Sequence, residues 1–144
     1  MSENLIVSTV LPASPEEVFC AWLDSKQHSE FSESAAQIDP CPGGAFTTQD
    51  HYISGTTVEI HPFTRILQNW RTTDFPTSSP DSHLEIHIEK VENGTMLKLI
   101  HSNVPDGQAA LYENGWEEYY FAPMQRYFAR LQRTVKTVCM PCSA

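Results

Sequence analysis

Apolar and polar positions change their spacing three times along the chain, and each change predicts a new kind of element. From Asn4 to Leu11 the β-prone residues Leu5, Ile6, Val7, Thr9 and Val10 run up to Pro12, which predicts a first strand ending there. Ser14-Pro15-Glu16-Glu17 then signals a helix start. Ser14 can cap, Pro15 takes the first helical position at no hydrogen-bond cost, and Glu17 can reach back to close a capping box. Val18, Phe19, Ala21 and Trp22 gather the apolar face of this helix. Asp24-Ser25 interrupts it before a second short helical piece, Lys26 to Phe31.

After Cys41-Pro42-Gly43-Gly44 the texture becomes β-prone. Ala45 to Asp50, Tyr52 to Ile60, Thr64 to Thr73, His83 to Val91 and Thr95 to Ser102 predict five successive strands in an antiparallel meander. Asn93-Gly94 is the strongest hairpin signal, because both residues tolerate the positive φ of a type I′ turn. The last segment is helical. Asp106 can cap it, and Leu111, Trp116, Tyr119, Tyr120, Met124, Tyr127, Phe128 and Leu131 form a wide apolar stripe. Gly115 lies on that stripe, where a missing side chain brings the helix close to a sheet or leaves room beside it. Pro123 cannot donate to the carbonyl of Tyr119, which predicts a bend.

At 144 residues the chain is long enough for one self-sufficient core, without staples. Nine Lys+Arg against 18 Asp+Glu give a net charge of -9, with no basic run to follow a phosphate backbone or an anionic bilayer. Nucleic acid and membrane are therefore not expected as partners. The run Leu5 to Val7 falls far short of a signal-peptide core, and the expected location is cytoplasmic. In such a compartment Cys20, Cys41, Cys139 and Cys142 are expected to be free thiols. Cys139-Met-Pro-Cys142 has C-x-x-C spacing, but it does not open a helix and has no second ligand pair, so redox or zinc chemistry is not expected of it.

Several motifs stand in a fixed order: Pro12-Ala13-Ser14-Pro15-Glu16-Glu17-Val18-Phe19, Gly43-Gly44-Ala45-Phe46, Gly55, Ile60-His61-Pro62, Arg65-Ile66-Leu67-Gln68-Asn69-Trp70, Gly94-Thr95 with Leu97 and Leu99, His101-Ser102, and Gly115-Trp116. Together they resemble homologues of the activator of the 90-kDa heat-shock protein ATPase, in the START and birch-pollen-allergen superfamily. The likeness runs from Leu5 to about Leu131. It implies an α+β helix-grip fold: a curved antiparallel sheet of about six strands wrapped around a long C-terminal helix, with two short helices after the first strand. The expected organisation is one domain over 1–135 and a tail over 136–144. The resemblance also implies a cavity between sheet and helix for a small hydrophobic or amphipathic molecule. It implies no particular reaction, since chaperone activity in this family belongs to larger proteins that join such a module to a separate domain. Phe31-Ser32-Glu33 departs from the Trp-rich segment that many relatives place there.

The side chains expected around that cavity are Phe46, Trp70, Leu97, Leu99, His101, Trp116, Tyr119 and Tyr120. Alternation puts His101 on the face of Thr95, Leu97 and Leu99, where a neutral imidazole can orient a ligand or simply bond a neighbouring backbone group. The large rings count as core first and cavity wall second. His83 and His87 share the outer face with Glu85 and Glu89, about 13 Å apart and too far for one metal ion. Arg71 falls on the face opposite Trp70 and reads as a surface residue. No nucleophile elbow, H-E-x-x-H, Walker loop or dinucleotide fingerprint is present, so no catalytic residue, metal or cofactor is assigned. The leading expectation is non-enzymatic binding of a small hydrophobic molecule. A chaperone-associated or other protein interaction module is the second reading. A cyclase- or hydrolase-type enzyme using a cavity His and Tyr is the third.

Overall fold

The computed structural model describes residues 2–131. The expected tail 136–144 and the Cys139/Cys142 pair lie outside them. The elements are β1 (Ser2–Leu11), α1 (Pro15–Leu23), α2 (Ser25–Ser32), β2 (Gln37–Ile38), β3 (Ala45–Thr48), β4 (Ile53–His61), β5 (Arg65–Thr72), β6 (Ser82–Val91), β7 (Gly94–Pro105), α3 (Ala109–Gly115), a π-helical turn (Trp116–Phe121) and α4 (Ala122–Leu131).

Seven strands form one antiparallel sheet in the order β1-β7-β6-β5-β4-β3-β2, one more than expected. The extra strand, β2, is a two-residue addition whose Gln37 and Ile38 pair with Thr47 and Phe46. Closure of β1 onto β7 brings the chain's first strand beside its last. Register shifts between Glu3 and Leu5 and between Thr57 and Glu59 curl the sheet, because a bulge adds a residue to one strand and sharpens its twist. The sheet, the two short helices and the long C-terminal helix make an α+β helix-grip fold.

Local chemistry starts the first two helices as the sequence indicates, whereas α3 is capped at Gln108, with no side-chain cap bond, and not at Asp106 as expected. The Glu17 amide donates to Ser14 Oγ (3.1 Å) and the Ser14 amide to Glu17 Oε1 (2.8 Å), completing the capping box behind Pro15. Asp24 ends α1 and caps α2, accepting from the Gln27 amide at 2.9 Å. Every residue of α1 from Val18 to Leu23 is buried. The inner face of the sheet carries Ile66, Gln68, Trp70 and Thr72 from β5, Leu84, Ile86 and Ile88 from β6, and Leu97, Leu99 and His101 from β7.

Two expectations need correction here. The β6–β7 turn is built on Glu92 and Asn93, with Val91 paired to Gly94, and Asn93 does not adopt positive φ, so it is not a type I′ turn on Asn93-Gly94. Gly94 is needed for a different reason: a Cβ there would lie 2.1 Å from the carbonyl oxygen of Leu11. Nor are the described cysteines free thiols, since Cys20 and Cys41 are both disulfide-bonded. We expect protein denatured without reductant to leave both unmodified by iodoacetamide, and peptide mapping to show labelling only after reduction.

The C-terminal helix answers Pro123 with a change of winding. The π-helical turn precedes the proline, and at its end the Ala122 amide reaches back to the carbonyl of Glu117. This changes which side chains align. In an α-helix a residue and its fourth successor are offset by about 40° around the axis. The wider π turn takes that offset back, so Tyr112, Trp116, Tyr120, Met124 and Phe128 all stay buried against the sheet and α2.

Candidate functional site

Packing the helix across the sheet leaves a cavity of about 380 Å³ at one end of the grip. Its walls come from three places: Gln49, Tyr52 and Ile53 around the β3–β4 turn, Trp70 on β5, and Leu111, Tyr112, Gly115, Trp116, Tyr119 and Tyr120 on the helix. None of these lining residues is charged. Trp70 is the hub, with ring centroids 5.4 Å from Trp116 and 5.1 Å from Tyr112, the latter edge-on at 83°. Leu111 and Tyr119 stand at the mouth, 50% and 55% exposed. Gly115 leaves room beside them, since a Cβ there would meet only Tyr119 Cδ2, at 3.9 Å.

Of the residues expected at the cavity, Trp70, Trp116, Tyr119 and Tyr120 line it. Phe46 is instead folded over Gly55 and borders a separate small void shared with Trp22, His28 and Tyr120. Leu97 and Leu99 have no exposed surface and belong to the packed core of β7. His101 lies behind the wall. Its Nδ1 accepts from the Trp116 indole N–H at 3.2 Å, and its Nε2 is 2.8 Å from Ser82 Oγ, which donates to the Trp70 carbonyl at 2.6 Å. Because Nδ1 accepts, the proton sits on Nε2 and the ring is neutral. Burial drives its pKa down to about 3. His101 therefore holds both tryptophans at their angle rather than meeting the cavity.

A second buried histidine, not singled out from the sequence, does the same at the other end. His28 Nδ1 donates to the carbonyl of Trp22 at 2.8 Å, leaving Nε2 to accept from the Tyr120 hydroxyl, also at 2.8 Å. Burial lowers its pKa to about 4. The Tyr120 hydroxyl also lies 3.1 Å from Thr48 Oγ1, and burial raises its pKa above the ordinary phenol value. At the mouth, Tyr112 donates to Gln108 Oε1 and contacts Thr72 Oγ1, both at 2.6 Å. Gln108 Nε2 donates to the Asp74 carbonyl at 3.0 Å, and Tyr52 donates to Asp74 Oδ2 at 2.6 Å. Burial raises the Tyr52 and Tyr112 hydroxyls as well, so all three tyrosine hydroxyls are neutral at pH 7.

Arg71 has a structural task. Its guanidinium donates to Asp81 Oδ1 at 2.8 Å and to the carbonyls of Ser79 and Pro76, fastening the β5–β6 loop so that Phe75 packs against Trp70. On the outer face, His87 meets Glu85 at 3.1 Å. No group of three or more potential metal ligands occurs among the described residues. No helix among them is long and apolar enough to cross a membrane.

Gln49, Tyr52, Ile53, Leu111 and Tyr112 were not selected from sequence. Tyr112 carried a readable signal, being four residues before Trp116 and eight before Tyr120. Gln49 and Tyr52 carried none, because a turn has no periodicity that reports what it overhangs.

The fold and the aromatic end of the grip agree with a profile described as activator of Hsp90 ATPase homolog 1-like protein, which matches residues 12–129. The chain belongs to this family. Among members of the activator-homologue fold, an HSP90 activator from Plasmodium falciparum superposes with a TM-score of 0.81 at 24% identity, covering 88% of this chain and 96% of that one. CalU16 from Micromonospora echinospora gives 0.73 at 22% identity, over 88% of this chain and 66% of its own. The Aha1 dimer of Colwellia psychrerythraea gives 0.72 at 15%, over 88% and 96%. At these identities the activator-homologue fold is what is shared. An uncharacterized Schizosaccharomyces pombe protein is 24% identical over 116 residues, 81% of this chain. The chain spans about a third of that relative's length, 34%.

Proposed function

We propose that this member of the activator-homologue family binds a small hydrophobic or amphipathic molecule in the cavity between sheet and helix, without transforming it. The observation that carries this reading is a 380 Å³ space walled by uncharged, largely aromatic side chains. Pockets of a few hundred Å³ with such linings take small organic ligands. Catalysis by a cavity histidine has less support: all four ring nitrogens of His28 and His101 are already bonded within the protein.

Gly115→Leu tests the reading. The added side chain enters the cavity, while the backbone there is ordinary right-handed helix that any residue adopts. With fluorene as a neutral probe, the full chain should show a rising Tm and altered tryptophan fluorescence. In Gly115→Leu, affinity should fall at least tenfold with an unchanged circular dichroism spectrum. Unaltered affinity, or no response to fluorene or its oxygenated analogue in the parent protein, removes the cavity as a ligand site.

A chaperone-associated role is the second reading, favoured by the likeness to the Plasmodium falciparum HSP90 activator. Stimulation of a 90-kDa heat-shock protein's ATPase by this chain would support it, and unchanged turnover at saturating protein would reject it.

A further inference from the structure

The first strand closes one side of the sheet, and its sequence does nothing to protect that edge. β1 is ten residues long, against two for β2 at the opposite edge. From Asn4 to Leu11 it carries no charge and no proline. Edge strands are ordinarily kept short, charged or covered, because their free amides and carbonyls pair readily with another chain. Here Ile6 and Val10 are 64% and 46% exposed as well.

Two contacts fix which backbone groups are free. Gln125 Nε2 donates to the Val10 carbonyl at 2.6 Å from the helix, whereas the Leu11 carbonyl turns toward β7, where a Cβ on Gly94 would meet it. In an antiparallel strand the N–H and C=O of one residue point the same way, and those of the next residue point the other way. Ile6 and Ser8 therefore share the direction of Val10, away from β7, and no strand pairs with them there among the described residues.

The C-terminal helix supplies a second wall. A groove of about 470 Å³ separates Val7 and Ser8 on β1 from Glu113, Asn114, Glu117 and Phe121, and it shares no lining residue with the aromatic cavity. Glu113 and Glu117 are exposed and take part in no ion pair among the described residues. Side chains of a strand added to this edge would alternate between two surroundings. Those opposite Val7 and Thr9 would face the helix and its carboxylates. Those opposite Ile6, Ser8 and Val10 would extend the outer face, where the partners of these residues on β7 are Ile100, Lys98 and Met96.

We propose that the free edge of β1 binds an extended basic segment of a partner protein as an added strand, with Lys or Arg toward Glu113 and Glu117 and apolar side chains beside Ile6 and Val10. Main-chain pairing supplies the attachment and the alternating side chains the selectivity. A second copy of this chain fits the edge less well. Its own β1 has no cation to offer the two carboxylates, and each chain carries -9.

Three peptides test this on the full chain at pH 7 by isothermal titration: acetyl-KVKTKVK-amide, its inverse acetyl-EVETEVE-amide, and acetyl-KKKKTVV-amide, which has the composition of the first without the alternation. The alternating basic peptide should bind about tenfold or more tightly than either other one, and it should shift the amide resonances of Ile6 and Ser8. Replacing Glu113→Gln and Glu117→Gln together should weaken it about tenfold. Ser8→Pro should weaken it by a similar factor, since proline removes an outward N–H at a place where an edge strand tolerates it. Fluorene binding should be unchanged in both variants, which keeps this edge distinct from the cavity. Equal binding of the two basic peptides, or full affinity in Ser8→Pro, overturns strand addition. Equal binding of the acidic peptide overturns the basic partner. A parent protein that sediments as a dimer, and as a monomer once Ser8→Pro is introduced, assigns the edge to a second copy instead. The peptide comparison on the parent protein needs no variant, so it remains decisive if a substitution impairs folding.

Discussion

Lowering the pH from 7 to 5 should destabilise the folded chain by about 4 kcal/mol, through two histidines that must stay neutral inside it. His28 and His101 have pKa values lowered from 6.5 to about 4 and about 3, mainly by burial. In the unfolded chain both accept protons as pH falls through 6.5, while in the folded chain neither does until much lower pH. The unfolded state therefore binds more protons across this interval. The stabilising contribution is complete above pH 6.5 and is lost on acidification through the window down to about pH 4 for His28 and about pH 3 for His101. At pH 5 the loss is about 2 kcal/mol for each ring. Urea unfolding at pH 7 and pH 5 measures it directly. A stability change under about 1 kcal/mol would mean that the rings protonate in place. His101→Asn should halve the dependence on pH over this window, because one of the two linked protons is removed. Imidazole resonances that titrate near 6.5 in the folded protein would contradict the buried, neutral assignment.

Gly55→Ala should cost about 3 kcal/mol, at the upper end for overpacking, although it adds one methyl group. The reason is a crossing of three elements. Gly55 pairs with Trp70 on β5 and with Phe46 on β3. A Cβ would sit 1.9 Å from the backbone oxygen of Asn69 and 2.7 Å from the tip of the Phe46 ring. The ring could swing away, but the backbone oxygen could not without opening the β4–β5 ladder beside Trp70. Lost stability should therefore come with a changed near-ultraviolet signal from Trp70 and weaker fluorene binding. Chemical denaturation gives the first quantity. A variant as stable as the parent would show that the two strands are not this close. Gly115→Ala supplies the contrast, since its Cβ meets only Tyr119 at 3.9 Å and alanine favours helix over glycine by roughly 0.5–1 kcal/mol.

Much of the architecture was legible because it rests on short-range chemistry. The capping box at Ser14 and Glu17, the stop at Asp24 and the alternation of Leu84, Ile86 and Ile88 all involve residues a few positions apart. Misreadings arose where distant chain segments meet. Gly94 was read as a turn residue, yet it yields space to Leu11, which ends the neighbouring strand β1 and is distant only in sequence. His28 sits in a helix whose sequence is mostly polar, and its partner Tyr120 is 92 residues away. His101 was placed on the correct face of β7, but the face does not reveal whether a ring meets a cavity or another ring. Trp116, across the fold, decides that.

By itself, then, the amino-acid sequence determined the order and type of the elements, the apolar faces they bury and the aromatic character of the C-terminal helix. Periodicity and capping act within one or two turns of chain, where spacing is enough. Tertiary structure alone decided which rings fill space and which surround it, which histidines are locked in hydrogen bonds, and that Gln49 borders the cavity from a turn. The physical reason is that a cavity is the small remainder left when two large surfaces pack. Its size and polarity depend on side chains from β3 to α3 meeting at once, and no local pattern along the chain carries that information.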